Sequence, residues 1–295
     1  MLVYIDVVGT CNLHCPLCPM GAGLIPRSNV KMDVPLFDSI TDKILAENKN
    51  ENLYVGLYNW TEPFLHPELD SLCANMAEKD LSFTISSNFA LPNLAPMLAK
   101  VFSHATRMFS FAVSISGFTQ EVYGKYHRGG KIETVKENIR ALAETVRRSQ
   151  TRAYVAVKYL QFAYNHAEIP LAEDFAKRLG LNFFTTPCGD IRIPELIASF
   201  ERGEVPSSDY VDEKLMASQL ANYQSGVHVN TPCSYQSKNL CIDARGECYL
   251  CCITPYSENF HIGNYLELTQ DEIFAKLRRH GFCNSCKRTG LQGHE

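Results

Sequence analysis

Twelve cysteines in 295 residues, and the way they are spaced, define the chemistry open to this chain. Cys11, Cys15 and Cys18 stand in VVGTCNLHCPLCPMG, with three residues between the first pair and two between the second. Three thiolates this close can ligate three irons of a cubane. Iron–sulfur clusters are normally held by four cysteine thiolates, so a missing ligand leaves one iron with an open coordination position. A zinc knuckle or packed structural thiols are the plainer alternatives, although zinc sites favour paired C-x2-4-C with four ligands. Seven more cysteines fall within residues 233–286, and only Cys73 and Cys188 lie between the two groups. That distribution points to two metal-binding regions separated by a scaffold.

The scaffold is legible as an alternation. Strand candidates are Leu2–Val8, Leu53–Tyr58, Ser82–Ser87, Met108–Ser116, Ala153–Phe162 and Asn182–Thr186, each rich in Val, Ile, Phe or Tyr. Between them, Val34–Glu47, Pro67–Lys79, Leu94–Ala105, Ile132–Arg148 and Leu171–Leu179 carry apolar residues at three- and four-residue spacing, the pattern of amphipathic helices. Strand–helix alternation reads as βαβ units on a parallel sheet, an α/β fold. Six strands are too few for a closed eight-stranded barrel and suit a partial (β/α)6 barrel, whose reactive groups sit on loops at the carboxyl ends of the strands. Cys11 to Cys18 come after the first strand, which is that end. The expected organisation is a barrel over 1–190, a helical linker over 191–230 broken by Gly203 and Pro206, and a small cysteine-rich domain over 231–295.

Composition narrows the class. The formal charge is −4 without a basic run, so neither nucleic acid nor an anionic membrane surface is suggested as a partner. MLVYIDVVG lacks the basic start and cleavage site of a signal peptide, and no stretch reaches membrane-spanning length. Twelve cysteines without an export signal argue for metal binding in a reducing cytoplasm rather than a disulfide framework.

C-x3-C-x2-C on the first loop of such a fold resembles the radical SAM superfamily. The resemblance implies a [4Fe-4S] cluster on Cys11, Cys15 and Cys18, whose open iron is chelated by S-adenosylmethionine (SAM). Further motifs stand after successive strands. Glu62-Pro63 in YNWTEP matches a G-G-E-P-like motif that meets the SAM amino group, with Asn-Trp-Thr in place of the glycines. Ser86-Ser87-Asn88 stands where many members carry T-N-G, which makes Asn88 a ribose or carboxylate contact. Ser114-Ile115-Ser116-Gly117 resembles S-I-D-G, with Ser116 replacing Asp, and Tyr123 to Gly130 resembles a Tyr-to-Arg-Gly run. Arg128 could pair with the SAM carboxylate, because guanidinium and carboxylate form bidentate hydrogen bonds. Each motif alone reads equally well as a polar loop at a strand end.

Cys233, twelve residues, Gly246, four residues and Cys251 match the opening of the SPASM/twitch auxiliary-cluster domains, and Cys283-x2-Cys286 completes four ligands. No cysteine comes after Cys286, so the resemblance implies the twitch form with one auxiliary [4Fe-4S] cluster, two clusters in all. Four thiolates also make a structural zinc site. Cys252 is next to a ligand and could return a hydrogen atom to a substrate radical; a packed thiol or an alternative ligand is the competing reading. Cys188, after the sixth strand, is the second donor candidate.

The resemblance implies reductive SAM cleavage, hydrogen abstraction from a small hydroxylated substrate of sugar or cyclitol type, and a flavodoxin or ferredoxin electron donor. Three outcomes stay open. Epimerisation with Cys252 as donor resembles the aminoglycoside radical epimerases. Dehydrogenation of an alcohol would use the auxiliary cluster as electron acceptor. Modification of a ribosomal peptide is disfavoured, because the chain begins directly at the first barrel strand. A plain electron-transfer module has no use for an open three-cysteine cluster. Gln161, Asn165, Asp190 and Arg192 near the strand ends are candidate substrate contacts.

Overall fold

The computed structural model describes residues 1–49, 52–149, 151–188, 192–205, 210, 213–226 and 232–289. Six parallel strands run β1 Leu2–Ile5, β2 Tyr54–Gly56, β3 Ser82–Ser87, β4 Met108–Ile115, β5 Tyr154–Gln161 and β6 Asn182–Pro187. Three more, β7 Asn239–Ile242, β8 Glu247–Tyr249 and β9 His261–Asn264, continue the same sheet, in the order β6-β5-β4-β3-β2-β1-β7-β8-β9. The cysteine-rich segment therefore adds to the barrel wall itself: β7 lies parallel to β1, with Tyr4 opposite Cys241, and β8 and β9 continue antiparallel.

Helices cover the outer face. In chain order they are α1 Val34–Glu47, α2 Leu69–Glu78, α3 Ala95–Ser103, α4 Gln120–Tyr126, α5 Ile132–Ser149 and α6 Ile169–Arg178. Then come α7 Ile193–Glu201, α8 Glu213–Ser225, the short α9 Tyr235–Lys238, α10 Gln270–Arg279 and α11 Phe282–Arg288. α1 starts where Asp33 accepts the Leu36 N–H at 2.8 Å with a proline in its first turn, and α10 starts on a Thr269/Glu272 capping box. Strand residues alternate in period two: Val3, Ile5, Val55, Phe83, Ile85, Phe111, Val113, Val155 and Val157 pack outward against Phe37, Ile40, Leu72, Leu98, Ile139 and Leu142 of the helices. Fully burying each of these side chains stabilises by about 1.5–3 kcal/mol. The other face of the strands, with Tyr4, Ser86, Ser114 and Lys158, is left to line the barrel.

The partial (β/α)6 barrel is present as the alternation implied, with end corrections. β1 stops at Ile5 rather than Val8: Asp6 still donates its N–H to the Ile242 carbonyl, but beyond it the chain pairs elsewhere, the Val7 carbonyl accepting from Met32 N and Val8 bridging Lys31. α2 begins at Leu69, two residues after Pro67, since Pro63–Leu65 first forms a 3-10 turn capped by Glu62. α7 and α8 close over one side of the mouth. Ile193, Leu196, Ile197 and Phe200 of α7, with Met216, Leu220 and Tyr223 of α8, pack with Leu17, Tyr126, Phe162 and Cys286. Among the described residues no helix is long and apolar enough to cross a membrane.

Candidate active site

The loop after β1 gathers Cys11, Cys15 and Cys18 into mutual electrostatic range. The Cys18 N–H donates to the Cys15 carbonyl at 3.2 Å, and the Leu13 N–H donates to Cys11 Sγ at 3.5 Å. Gly21 lets the returning chain touch Cys15: a Cβ there would stand 2.2 Å from the Cys15 carbonyl oxygen. Burial raises all three thiols, Cys11 to about 12. Metal binding deprotonates such groups and restores the balance. The cation felt by all three is Arg27, whose guanidinium donates to the Cys11 carbonyl and, at 2.6 Å, to the Leu13 carbonyl. Sequence reading missed Arg27, which stands in an unremarkable turn nine residues beyond Cys18.

Asp6 was missed too. Its carboxylate is fully buried and accepts from Asn59 N and Trp60 N at 2.9 Å, Thr61 N at 3.2 Å and Thr61 Oγ1 at 2.6 Å. Burial raises this carboxyl, and those hydrogen bonds oppose the rise. A lone acid inside YIDVV was the available signal. The loop it holds carries Glu62, which accepts from Phe64 N (3.1 Å), Ser87 Oγ (2.7 Å) and Asn88 N (2.9 Å) and is pushed up to about 7 by burial. Asn88 reaches from the end of β3 to the cysteine loop, donating through Nδ2 to Cys11 Sγ at 3.5 Å and to Asn12 Oδ1 at 3.0 Å. Glu62, Asn88 and Cys11 thus form one bonded group.

The remaining candidates are placed differently. Ser114 Oγ lies on the inner face, 3.5 Å from Ser86 Oγ. Ser116 is fully buried and shares a 2.6 Å hydrogen bond with His127 Nδ1. Burial lowers His127 to about 3, which keeps it neutral, and its ring stacks on Tyr123. Arg128 meets the cysteine loop through its backbone, accepting from His14 N at 2.9 Å, while its guanidinium turns outward to Tyr210 Oη at 2.9 Å. Asn165 is consumed by Phe162 N, the Ser116 carbonyl and the Leu160 carbonyl, and Gln161 meets His166. Arg192 stands at the N-terminal boundary of α7 without a side-chain capping bond, and Asp190 lies outside the described residues.

Cys233, Cys251, Cys283 and Cys286 line one apolar cavity with Tyr235, Leu250 and Phe282. Gly246, at φ +81°, makes the β7–β8 turn that returns the chain toward Cys251. Among the described residues no three Cys, His, Asp or Glu side chains converge on a point that would hold a single metal ion. The thiols ring a volume instead. Cys252 is within hydrogen-bonding reach of both Cys251 and Cys241, and the bond with Cys241 raises it. It packs on the group Met20, Ile25, Trp60, Cys241 and Tyr256, as do Cys11 and Cys18. Cys188 sits at the end of β6, raised by burial to about 11. Cys73 and Cys248 are buried in the main core.

Comparison with known proteins agrees with this geometry. The family model described as "Radical SAM superfamily" matches residues 5–158, more than half of the chain. No curated protein matches in sequence. Among solved structures, native anSMEcpe with bound AdoMet superposes with a TM-score of 0.62 at 15% identity, over 95% of this chain and 82% of that one. Streptococcus suis SuiB bound to precursor peptide SuiA gives 0.63 at 11% identity, over 98% and 70%. BtrN in complex with AdoMet and 2-DOIA gives 0.50 at 14% identity, over 99% and 85%. At these identities the likeness is one of fold. The matched family model, over a barrel whose first loop carries C-x3-C-x2-C, shows that this chain belongs to the radical SAM superfamily and is an enzyme that works with S-adenosylmethionine and a [4Fe-4S] cluster.

Proposed function

We propose that this enzyme inverts a carbinol centre of a small hydroxylated molecule, of sugar or cyclitol type, with Cys252 as the hydrogen donor. Cys11, Cys15 and Cys18 fit the cluster: three coupled thiols on one loop, a backbone N–H on Cys11 Sγ and Arg27 beside them. Cys233, Cys251, Cys283 and Cys286 fit an auxiliary [4Fe-4S] cluster of the twitch type, since a ring of thiols around a cavity suits a four-iron body. Bound together, SAM and the cluster supply a 5′-deoxyadenosyl radical that removes one hydrogen atom from a substrate carbon.

The chain's own residues do the rest. Asn88, bonded to both Glu62 and Cys11, and Glu62 itself present an amide and a carboxyl where SAM polar groups would lie. Asp6 holds the loop that presents Glu62. Leu17, Tyr126 and Phe162, under α7, exclude water from the mouth. Cys252 S–H gives its hydrogen atom to the substrate carbon from the opposite face, and the sulfur regains one electron from a flavodoxin- or ferredoxin-type donor and one proton from solvent.

One observation carries the assignment: Cys252 packs on the same apolar group as Cys11 and Cys18 while its thiol reaches Cys251. With candidate glycosides and cyclitols, Cys252→Ala is expected to form 5′-deoxyadenosine without inverting any centre. A product two hydrogens lighter than substrate, made equally by Cys252→Ala, would establish alcohol dehydrogenation instead.

A further inference from the structure

His127 shares a 2.6 Å hydrogen bond through Nδ1 with Ser116 Oγ, just past the end of β4. Its ring lies almost flat on Tyr123, at 4.9 Å and 14°, and meets Tyr126 edge-on at 5.2 Å. Ser116 is itself held, since its carbonyl accepts from Asn165 Nδ2 at 3.0 Å. The buried imidazole is thus fixed at one polar point and by two rings. Where the S-I-D-G-like motif carries Asp, the Ser116 hydroxyl keeps this bond neutral, whereas a carboxylate would bury a charge.

What the ring fixes is a turn. α4 ends at Tyr126, and the chain goes on through three backbone bonds. The His127 N–H donates to the Tyr123 carbonyl at 3.0 Å, the Arg128 N–H to the Tyr126 carbonyl at 2.8 Å, and the Gly130 N–H to the His127 carbonyl at 3.1 Å. This turn offers one carbonyl to the cysteine loop: that of Arg128 accepts the His14 N–H at 2.9 Å, and Cys15 is the next residue. Elsewhere on the loop Arg27 grips the Cys11 and Leu13 carbonyls, and Asn88 grips the Asn12 side chain. The loop is therefore held at every residue from Cys11 to His14, and the hold on His14 depends on the 127–130 turn. A cluster without a protein ligand on its fourth iron takes its position from the loop that ligates the other three, and groups behind the ligands set their direction.

We propose that His127 is a positioning residue for the SAM-binding cluster: by bonding Ser116 it fixes the 127–130 turn, whose Arg128 carbonyl sets where His14, and with it Cys15, stands. The imidazole acts through the backbone of its own turn and exchanges no proton. This rests on the superfamily assignment and not on epimerisation, so it stands or falls apart from the fate of the substrate radical.

The test uses the anaerobically reconstituted full chain. Hydrogen exchange read by mass spectrometry follows segments 11–18 and 58–62, and SAM binding is read from its effect on the electron paramagnetic resonance of the reduced cluster. His127→Phe keeps a ring and removes the bond, and Ser116→Ala removes the same bond from the other end. Each should speed exchange across 11–18 and weaken SAM binding by about tenfold or more. Iron content and exchange across 58–62 should stay as in wild type. Because both variants remove one interaction, the double variant should bind SAM no more weakly than either single one. His127→Asn, which puts an amide where Nδ1 stands, should recover most of the binding. Wild-type exchange over 11–18 in His127→Phe, or single losses that add in the double variant, would overturn the proposal. So would equal acceleration of both segments, which would make His127 a general support of the barrel. Should His127→Phe fail to fold, Ser116→Ala and His127→Asn read the same bond.

Discussion

The hydroxyl of Thr61 donates to Asp6 Oδ1 at 2.6 Å, and through that bond the end of β1 grips the loop after β2. Three consecutive backbone N–H groups, from Asn59 to Thr61, aim at the same carboxylate. Where the G-G-E-P-like motif places glycines, this chain has bulkier residues, and Asp6 supplies the buried carboxyl oxygens that gather them into place. The Tyr256 hydroxyl, hydrogen-bonded to the Asn59 side-chain amide at 3.2 Å, and the Trp60 indole, bonded to the Thr254 carbonyl at 3.0 Å, tie the loop to the cysteine-rich segment.

Replacing Asp6 by Asn keeps its shape and puts an N–H₂ among four donors. Leaving buried donors unpaired costs about 2–3 kcal/mol. Asp6→Asn should therefore weaken SAM binding by about tenfold or more, while the barrel itself still folds. Equilibrium dialysis of SAM against the reconstituted variant, with far-ultraviolet circular dichroism as the folding control, reads both.

Iron content separates the two thiol groups. Reconstituted wild type should hold about eight irons per chain, and Cys15→Ala or Cys283→Ala about four each. Only Cys15→Ala should lose 5′-deoxyadenosine formation. About four irons in wild type, with zinc on the remaining cysteines, would remove the auxiliary cluster from the mechanism.

Arg27 puts a positive charge against the loop of Cys11, Cys15 and Cys18. Arg27→Gln should make the cluster harder to reduce, on the order of 40 mV, or about 1 kcal/mol for one electron. Arg27→Lys should recover part of the shift but not the two-carbonyl clamp. Potentiometric titration monitored by electron paramagnetic resonance measures it.

Glu62 gives a signature in cluster-free protein. Burial raises its carboxyl from 4.5 to about 7. The unfolded chain releases this proton near 4.5 and the folded chain only near 7, so between those values the folded state binds more protons. The group's contribution to stability is therefore full below about 4.5 and falls as pH rises toward 7, by up to roughly 3 kcal/mol. Melting wild type and Glu62→Gln across that window should show wild type losing ground steadily as pH rises.

The barrel was legible because its strands and helices announce themselves by period: β3 and α1 have the very limits their sequences imply. The pairing of β7 with β1 was not, since a four-residue strand carries no mark of a partner more than two hundred residues away. The cysteine sets were legible from spacing, and the cavity gathers the four C-terminal members. Asp6 and Arg27 were hard to single out for a common reason. Each acts through a fold-made neighbour, and a single charged residue in a strand or turn has no local pattern. Arg128 shows the converse: its motif was clear, yet its guanidinium goes outward to Tyr210, because the His14 N–H claims its backbone and fixes the direction of the turn.

Solvent hydrogen reports most directly on the fate of the substrate radical. The Cys252 thiol exchanges with water, so turnover of an accepted substrate in deuterium oxide should place one deuterium at the inverted carbon and none elsewhere. Cys252→Ala should place none while still releasing 5′-deoxyadenosine. Inverted product that carries only its original hydrogen, or deuterium incorporation undiminished in Cys252→Ala, would contradict hydrogen return from Cys252.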